Sequence, residues 1–131
     1  DTGLLINEIA PRTHNSAHFS IEACSSSQFD QYICISSGIK PPEINMYSQG
    51  SLMINLLGLN KRYPLSIEKR IELLSQIKGS NLHWYGKSKE SIGRKMAHIT
   101  FLLNENDHMK RAEKSKEILT KVREIWPSPN Y

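Results

Sequence analysis

No stretch of this sequence approaches the roughly 20 consecutive apolar residues that a membrane-spanning helix requires, so no membrane segment is expected. Cysteine is scarce as well. Cys24 and Cys34 are the two in the chain, and they have neither the CxxC spacing nor the Cys/His clustering of zinc and redox sites, nor the numbers of a secreted disulfide framework. Free thiols in a reducing cytoplasm are the expectation, with Cys24 an inert buried group, since no activating feature is visible beside it. There is no dense basic tract. The 17 Lys and Arg against 13 Asp and Glu leave a net charge of +4, spread along the chain, which favours small anionic ligands and does not imply nucleic acid. The opening "DTGLLINE" has no initiator Met and no secretory leader pattern, and reads as continuing from something longer. No internal repeat or low-complexity tract is present.

What the sequence does have is the length and balance of a globular protein. Its 131 residues, 38% hydrophobic and 23% charged, suit one ordinary domain or two small ones. "GLLIN", residues 3–7, is short and apolar and suits a buried strand, with Glu8 where that strand would emerge. "AHFSI" offers a second extended piece. Ser27 with Asp30 three residues on is a helix start, and the helix should run to Gly38 with Phe29, Tyr32, Ile33 and Ile35 as one sticky face. The two prolines of "IKPPEINMYSQG" mark a connection, which places a domain boundary near Pro41 and divides the chain into 1–41 and 42–131. Beyond it, "SLMINLLG" reads as a strand. A helix capped by Ser66 follows, with Ile67, Ile71, Leu74 and Ile77 at helical spacing and Gly79 closing it. "NLHWYGK" and "KMAHITFLL" read as two more strands, and residues 107–126 as an amphipathic helix with Met109, Ala112, Leu119, Val122 and Trp126 as its apolar stripe. The fold class is α+β.

Two constellations carry chemistry. In "NEIAPRTHNSAH" the Glu8 carboxylate is a hard oxygen ligand of the kind magnesium takes together with phosphate oxygens. Arg12 offers a planar fork for carboxylate, bicarbonate or phosphate, and His14, Asn15 and Ser16 add neutral directional donors. The same residues also suit an ordinary polar loop, and His18 suits a packed side chain. The second constellation is Lys87, Lys89, Arg94 and Lys95 around Gly86 and Gly93, cations on a loop that can close on a phosphate or simply form a solvated charged hairpin. His83, Trp84 and Tyr85 beside it read as strand residues.

With these residues in view the sequence resembles a known family. "LLINEIAPRTHNSAHFSIEACSSSQFDQY", then "MINLLG", then "LHWYGKSKESIGRKMAHIT" are similar to the C-terminal third of carboxyaminoimidazole ribonucleotide synthetase, a purine-biosynthesis enzyme of the ATP-grasp superfamily, also called the phosphoribosylaminoimidazole carboxylase ATPase subunit. The resemblance implies the end of an ATP-grasp subdomain followed by a small sheet-plus-helix domain. It implies an ATP-dependent ligase, with ATP and magnesium as cofactors and aminoimidazole ribonucleotide and bicarbonate as substrates. By position, Asn7 and Glu8 match the "NE" pair at the ATP phosphates, Glu8 being one of two magnesium ligands. Arg12, His14, Asn15 and Ser16 match the "RxHNS" run that lines the bicarbonate or carboxyphosphate site. Lys87 and Arg94 match positions that hold the ribose phosphate. Ala17 and Ala97 stand where the family usually has Gly, and Ser91-Ile92 where it usually has Arg-Pro, which removes a cation and a stiffening residue from the phosphate loop.

The resemblance also implies what a chain of this extent does not carry: the family's N-terminal domains, the adenine-contacting region and the second magnesium carboxylate. The chain alone is therefore expected to be inactive, its first strand is expected to present an open edge, and residues 42–126 are expected to be the better-ordered part. Its expected partners are those missing domains and, since homodimers are common in the family, a second copy. A noncatalytic basic module for nucleic acid or an acidic partner is the competing expectation.

Overall fold

Local hydrogen bonding by short polar side chains shapes the first part of the chain. The structure, a computed structural model, describes residue 3, residues 5–59 and residues 63–129, and the chain divides into two compact units, Asp1–Met46 and Tyr47–Tyr131. In the first unit a 3-10 turn, Asn15–Ala17, leads into helices α1 (Ser20–Ala23) and α2 (Gln28–Ser36). Helix α2 starts as its capping pattern requires. Ser27 Oγ accepts the Asp30 N–H at 3.2 Å and Asp30 Oδ2 accepts the Ser27 N–H at 2.8 Å, a reciprocal capping box. The Ser27 hydroxyl, and then its amide, hold the Asp30 carboxyl below the usual carboxylate range. The helix ends at Gly38 with φ +69°. There the Ile39 N–H reaches Cys34 C=O at 2.8 Å and the Gly38 N–H reaches Ile35 C=O at 3.1 Å, the paired bonds of a Schellman ending.

Two expectations fail in this unit. "AHFSI" is not extended, because its side chains offer the backbone a closer partner: the Ser20 hydroxyl donates to Ala17 C=O at 2.6 Å and the chain turns helical. Among the described residues of "GLLIN" there is no strand, and Leu5 and Ile6 are 87% and 90% exposed; Leu4 lies outside the described residues. A strand is completed by the ladder it joins, and none of the strands described in this chain pairs with residues 5–7. Phe29, Tyr32, Ile33 and Ile35 do share the helix, but all four are exposed. The first compact unit runs to Met46. Residues 42–46 are tied back by Gln31 Nε2 donating to Pro42 C=O, by the Ser25 N–H donating to Asn45 C=O, and by a bridge between Cys24 and Met46.

The second unit is a three-stranded antiparallel sheet with two helices. Its elements are β1 (Gly50–Leu57), α3 (Ile67–Ser75), β2 (Asn81–Trp84), β3 (Lys95–Leu103) and α4 (His108–Ile125), and the strand order is β1-β3-β2. Because β3 is central, every residue from Met96 to Phe101 is buried, although the two faces differ in character. One face carries Ala97, Ile99, Phe101 and Leu103 opposite Leu56, Ile54, Leu52 and Gly50 of β1, and it forms the core with Leu74, Ile118, Val122 and Trp126. The other carries His98 and Thr100, with His98 opposite Asn55 and His83. Register slips between Leu56 and Leu57, leaving Met96 as the extra residue of a bulge at the start of β3.

Ser66 caps α3 by accepting the Lys69 N–H, and Leu74 is fully buried while Ile67, Ile71 and Ile77 pack on the core. In α4 the buried stripe is Ile118, Val122 and Trp126. The expected members Met109 and Leu119 are 60% and 39% exposed, and Ala112 is exposed too, because the face that meets the sheet runs at i, i+4, i+8 from Ile118. On the outer face Glu117 lies between Lys114 at 2.9 Å and Lys121 at 2.6 Å. These two ammonium groups lower its carboxyl from 4.5 to about 2. A depressed folded value contributes stability that is complete above the unfolded value and disappears as pH falls toward 2. Glu117→Gln is therefore expected to flatten the acid limb of a melting-temperature profile between pH 4.5 and 2, and 1 M salt should shrink the difference. Identical profiles for the two proteins at low salt would refute the assignment.

Candidate functional site

His14 is the centre of the first constellation. Its backbone N–H donates to Gln28 Oε1 at 2.8 Å and its C=O accepts from Gln28 Nε2 at 2.9 Å, so a residue at the start of α2 grips both polar groups of the same peptide segment. Gln28 is itself anchored by its N–H on Ser20 Oγ at 2.9 Å. The ring is then aimed from both sides. Nδ1 accepts the Ser16 N–H at 3.3 Å and lies 2.7 Å from Ser16 Oγ, while Nε2 is 3.0 Å from Glu8 Oε1. Because an N–H can only donate, Nδ1 is the lone-pair nitrogen and Nε2–H points at the Glu8 carboxylate. Glu8 is 60% exposed and His14 31%, so the pair sits at an open surface.

Asn7, Glu8, Ala10, His14 and Ser16 line a concavity of about 300 Å³. The structure thus brings together Asn7, Glu8, His14 and Ser16 of the expected set. Arg12 is exposed, with its guanidinium donating to Thr13 C=O at 3.0 Å. Asn15 opens the 3-10 turn and its C=O accepts the His18 N–H. His18 packs, stacking on Phe29 with ring centroids 5.4 Å apart. Cys24 is buried. Among the described residues no group of three or more His, Cys, Asp or Glu could hold a metal ion. The donor set therefore fits one carboxylate arm of a magnesium site, Glu8, with the carboxamide of Asn7 beside it, and does not fit a complete protein cage.

The second constellation lies in the second unit, on the loop from β2 to β3. Gly86 and Gly93 take φ +68° and +76°, values at which a Cβ is strained. Lys87 Nζ donates to Lys95 C=O and lies 5.5 Å from the Tyr85 ring centroid. Arg94 is exposed, and its Nη1 donates to Lys89 C=O at 3.0 Å. Each cation keeps further donors, so the loop offers a point charge and a fork at one hairpin end. The Tyr85 hydroxyl and His98 Nδ1 share a hydrogen bond of 2.7 Å, and burial raises the Tyr85 ionisation above the usual 10.0. His83 stacks flat on His98 at 4.5 Å.

Sequence reasoning missed three residues that shape these clusters. Gln28 was visible only as the first residue of a helix. Arg70 is 1% exposed in the middle of the α3 apolar stripe, a charge at a core position, which was a readable signal. Its partner Glu90 lies in the cation loop.

Comparison with known proteins decides the family. Residues 1–29 match the ATP-grasp domain and residues 51–112 match the phosphoribosylaminoimidazole carboxylase C-terminal domain, in that order along one chain. N5-carboxyaminoimidazole ribonucleotide synthase of Synechococcus elongatus is 39% identical over 127 residues, covering 97% of this chain and 32% of its own length. The chain belongs to this synthase family. It spans about a third of the length of such relatives and matches their C-terminal part. The crystal structure of the Thermotoga maritima synthetase superposes with a TM-score of 0.71 at 33% identity, over 92% of this chain and 32% of that one. The Aspergillus clavatus synthase solved with ADP and 5-aminoimidazole ribonucleotide gives 0.68 at 27% identity, over 85% and 29%. As in those synthases, the fold is the end of an ATP-grasp domain followed by a small α+β C-terminal domain.

Proposed function

We propose that this chain supplies the C-terminal part of an ATP-dependent ligase that carboxylates aminoimidazole ribonucleotide with bicarbonate in de novo purine biosynthesis. The observation that carries this reading is the alignment of 97% of the chain with a synthase of that name. Glu8 and Asn7 face ATP phosphates, with Glu8 as one carboxylate arm for magnesium, which supplies charge neutralisation when bound. His14, with its Nε2–H directed by Glu8 and its Nδ1 fixed by Ser16, holds the bicarbonate side of the site together with Asn15, Ser16 and Arg12. The Arg12 fork must swing from Thr13 C=O to do so, a rotation that an exposed side chain makes freely. Lys87 and Arg94 hold the ribose phosphate of the substrate. The work is done in the cytoplasm.

One carboxylate arm among the described residues does not complete a magnesium-nucleotide site, so on this reading the chain alone does not turn over; activity requires the remainder of such an enzyme, and a second copy is a further partner. No helix among the described residues is long and apolar enough to cross a membrane. The competing basic-module reading draws on the charge of the Lys87–Lys95 loop and of the final helix; on that helix Lys114 and Lys121 are engaged by Glu117.

Calorimetric titration tests the proposal. Aminoimidazole ribonucleotide is expected to bind weakly, and Lys87→Ala with Arg94→Ala should lower the affinity at least about tenfold, since each lost charge-assisted contact is worth roughly 1.5–3 kcal/mol. Tighter binding to unrelated duplexes, with a steep salt slope, would favour the basic module instead.

A further inference from the structure

We propose that Arg70 and Glu90 are positioning residues for phosphate recognition: a buried ion pair that clamps the cation loop to the end of β1 and thereby sets where Lys87 and Arg94 present their charge. This rests on the reading of that loop as a phosphate site. The 85–95 segment contains no proline and two left-handed glycines, so its own backbone does little to fix it. The fixing comes from outside. Glu90 Oε1 accepts from Arg70 Nη1 at 2.9 Å and from the Leu59 N–H at 2.8 Å, while Oε2 accepts from Arg70 Nη2 at 2.6 Å. The two side chains are 2% and 14% exposed, and the Arg70 guanidinium lies 4.0 Å over the Trp126 ring. Both ends of the fork are thus used, on an arginine that the core holds rigidly.

Gly58 completes the clamp. Its N–H donates to Arg94 C=O at 2.7 Å and its C=O accepts the Gly93 N–H at 3.1 Å. A Cβ on Gly58 would stand 2.1 Å from Ser91 C=O, so the loop backbone rests directly against it. Arg94 is therefore held through its own peptide by Gly58 and, four residues earlier in the chain, by Glu90. Burying an ion pair to hold a loop gives no advantage in stability over burying two apolar side chains. What the pair adds is direction: three hydrogen-bond vectors at Glu90 that admit one loop position.

The test is a titration of the 15N-labelled chain with ribose 5-phosphate, and separately inorganic phosphate, followed at the amides of residues 86–95. In the parent chain those amides should shift and saturate, and Lys87→Ala with Arg94→Ala should abolish the shifts. Glu90→Gln keeps the shape of the side chain but loses its charge and one acceptor. It is expected to weaken ribose 5-phosphate binding on the order of tenfold, as a misplacement near 1 Å readily does, and to speed hydrogen exchange at Leu59 and Gly93 while Ile99 stays protected. Ile118→Val lowers core stability without touching the loop and should leave the affinity unchanged. Glu90→Asp, which keeps the charge but is one methylene shorter, gives the same comparison should the first variant fail to fold. Parent binding that Glu90→Gln and Glu90→Asp leave intact, or that Ile118→Val weakens equally, would overturn the positioning role and leave the phosphate reading standing. Absence of any loop shift in the folded parent with either probe would overturn the phosphate reading, and the positioning role with it.

Discussion

Trp126→Ala is expected to destabilise the second unit by about 3–5 kcal/mol, the range for truncating a large buried aromatic, out of a total that for a domain this size is roughly 5–15 kcal/mol. The side chain is fully buried and does three things at once. It packs against Trp84, with centroids 6.5 Å apart. It covers the Arg70 guanidinium with its ring face, a contact worth about 2 kcal/mol when desolvated. Its indole N–H donates to Leu57 C=O at 2.6 Å, which ties the C-terminal end of α4 to the end of β1. Trp126→Phe helps separate these contributions, since it keeps most of the packing, gives up part of the ring volume and loses the N–H donor; about 1–3 kcal/mol is expected from the Leu57 carbonyl left without that donor. Urea unfolding followed by far-ultraviolet circular dichroism measures both. A loss below about 1 kcal/mol for the alanine variant would show that α4 is held by Ile118 and Val122 alone.

Where the sequence was informative, it was because the determinant and its effect lie within a few residues of each other. Ser27 and Asp30 are three apart, Gly38 ends the helix it follows, and Ser66 caps the helix it precedes. The alternation along β3 was equally legible, because period-2 patterning is local. It did not show that both faces would be buried, which follows from β3 lying between β1 and β2. The failures share the opposite cause. Residues 5–7 are apolar enough for a strand, but a strand exists only in its ladder. Met109 and Leu119 are as hydrophobic as Ile118, and only the direction in which α4 meets the sheet selects between them.

The candidate site divides in the same way. Asn7, Glu8, His14 and Ser16 converge on one concavity because they are close in sequence and a single turn gathers them. Gln28, fourteen residues from His14, fixes that turn and carries no local mark of doing so. Arg70 and Glu90 are twenty residues apart, and no periodicity connects a helix stripe to a loop carboxylate.

That pair gives the second large effect. Glu90→Ala is expected to cost about 3–5 kcal/mol, because it leaves a guanidinium buried beneath Trp126 with its carboxylate gone, and removal of one partner of a buried pair is far more costly than the pair's own net contribution. The Leu59 N–H loses its acceptor in the same step, adding to the loss. Arg70→Met combined with Glu90→Leu removes the charge altogether and replaces it with side chains of similar bulk. Most of the lost stability should return, since such replacements are often neutral or stabilising. The two variants together separate two reasons for a buried ion pair. If Glu90→Ala is costly and the apolar double variant recovers, the charge is not there for stability, and its use lies in where it holds the loop. If the double variant is as unstable as Glu90→Ala, the three hydrogen bonds at Glu90 themselves stabilise the fold, and the geometry of the cation loop is a consequence of that stability rather than the reason for the pair.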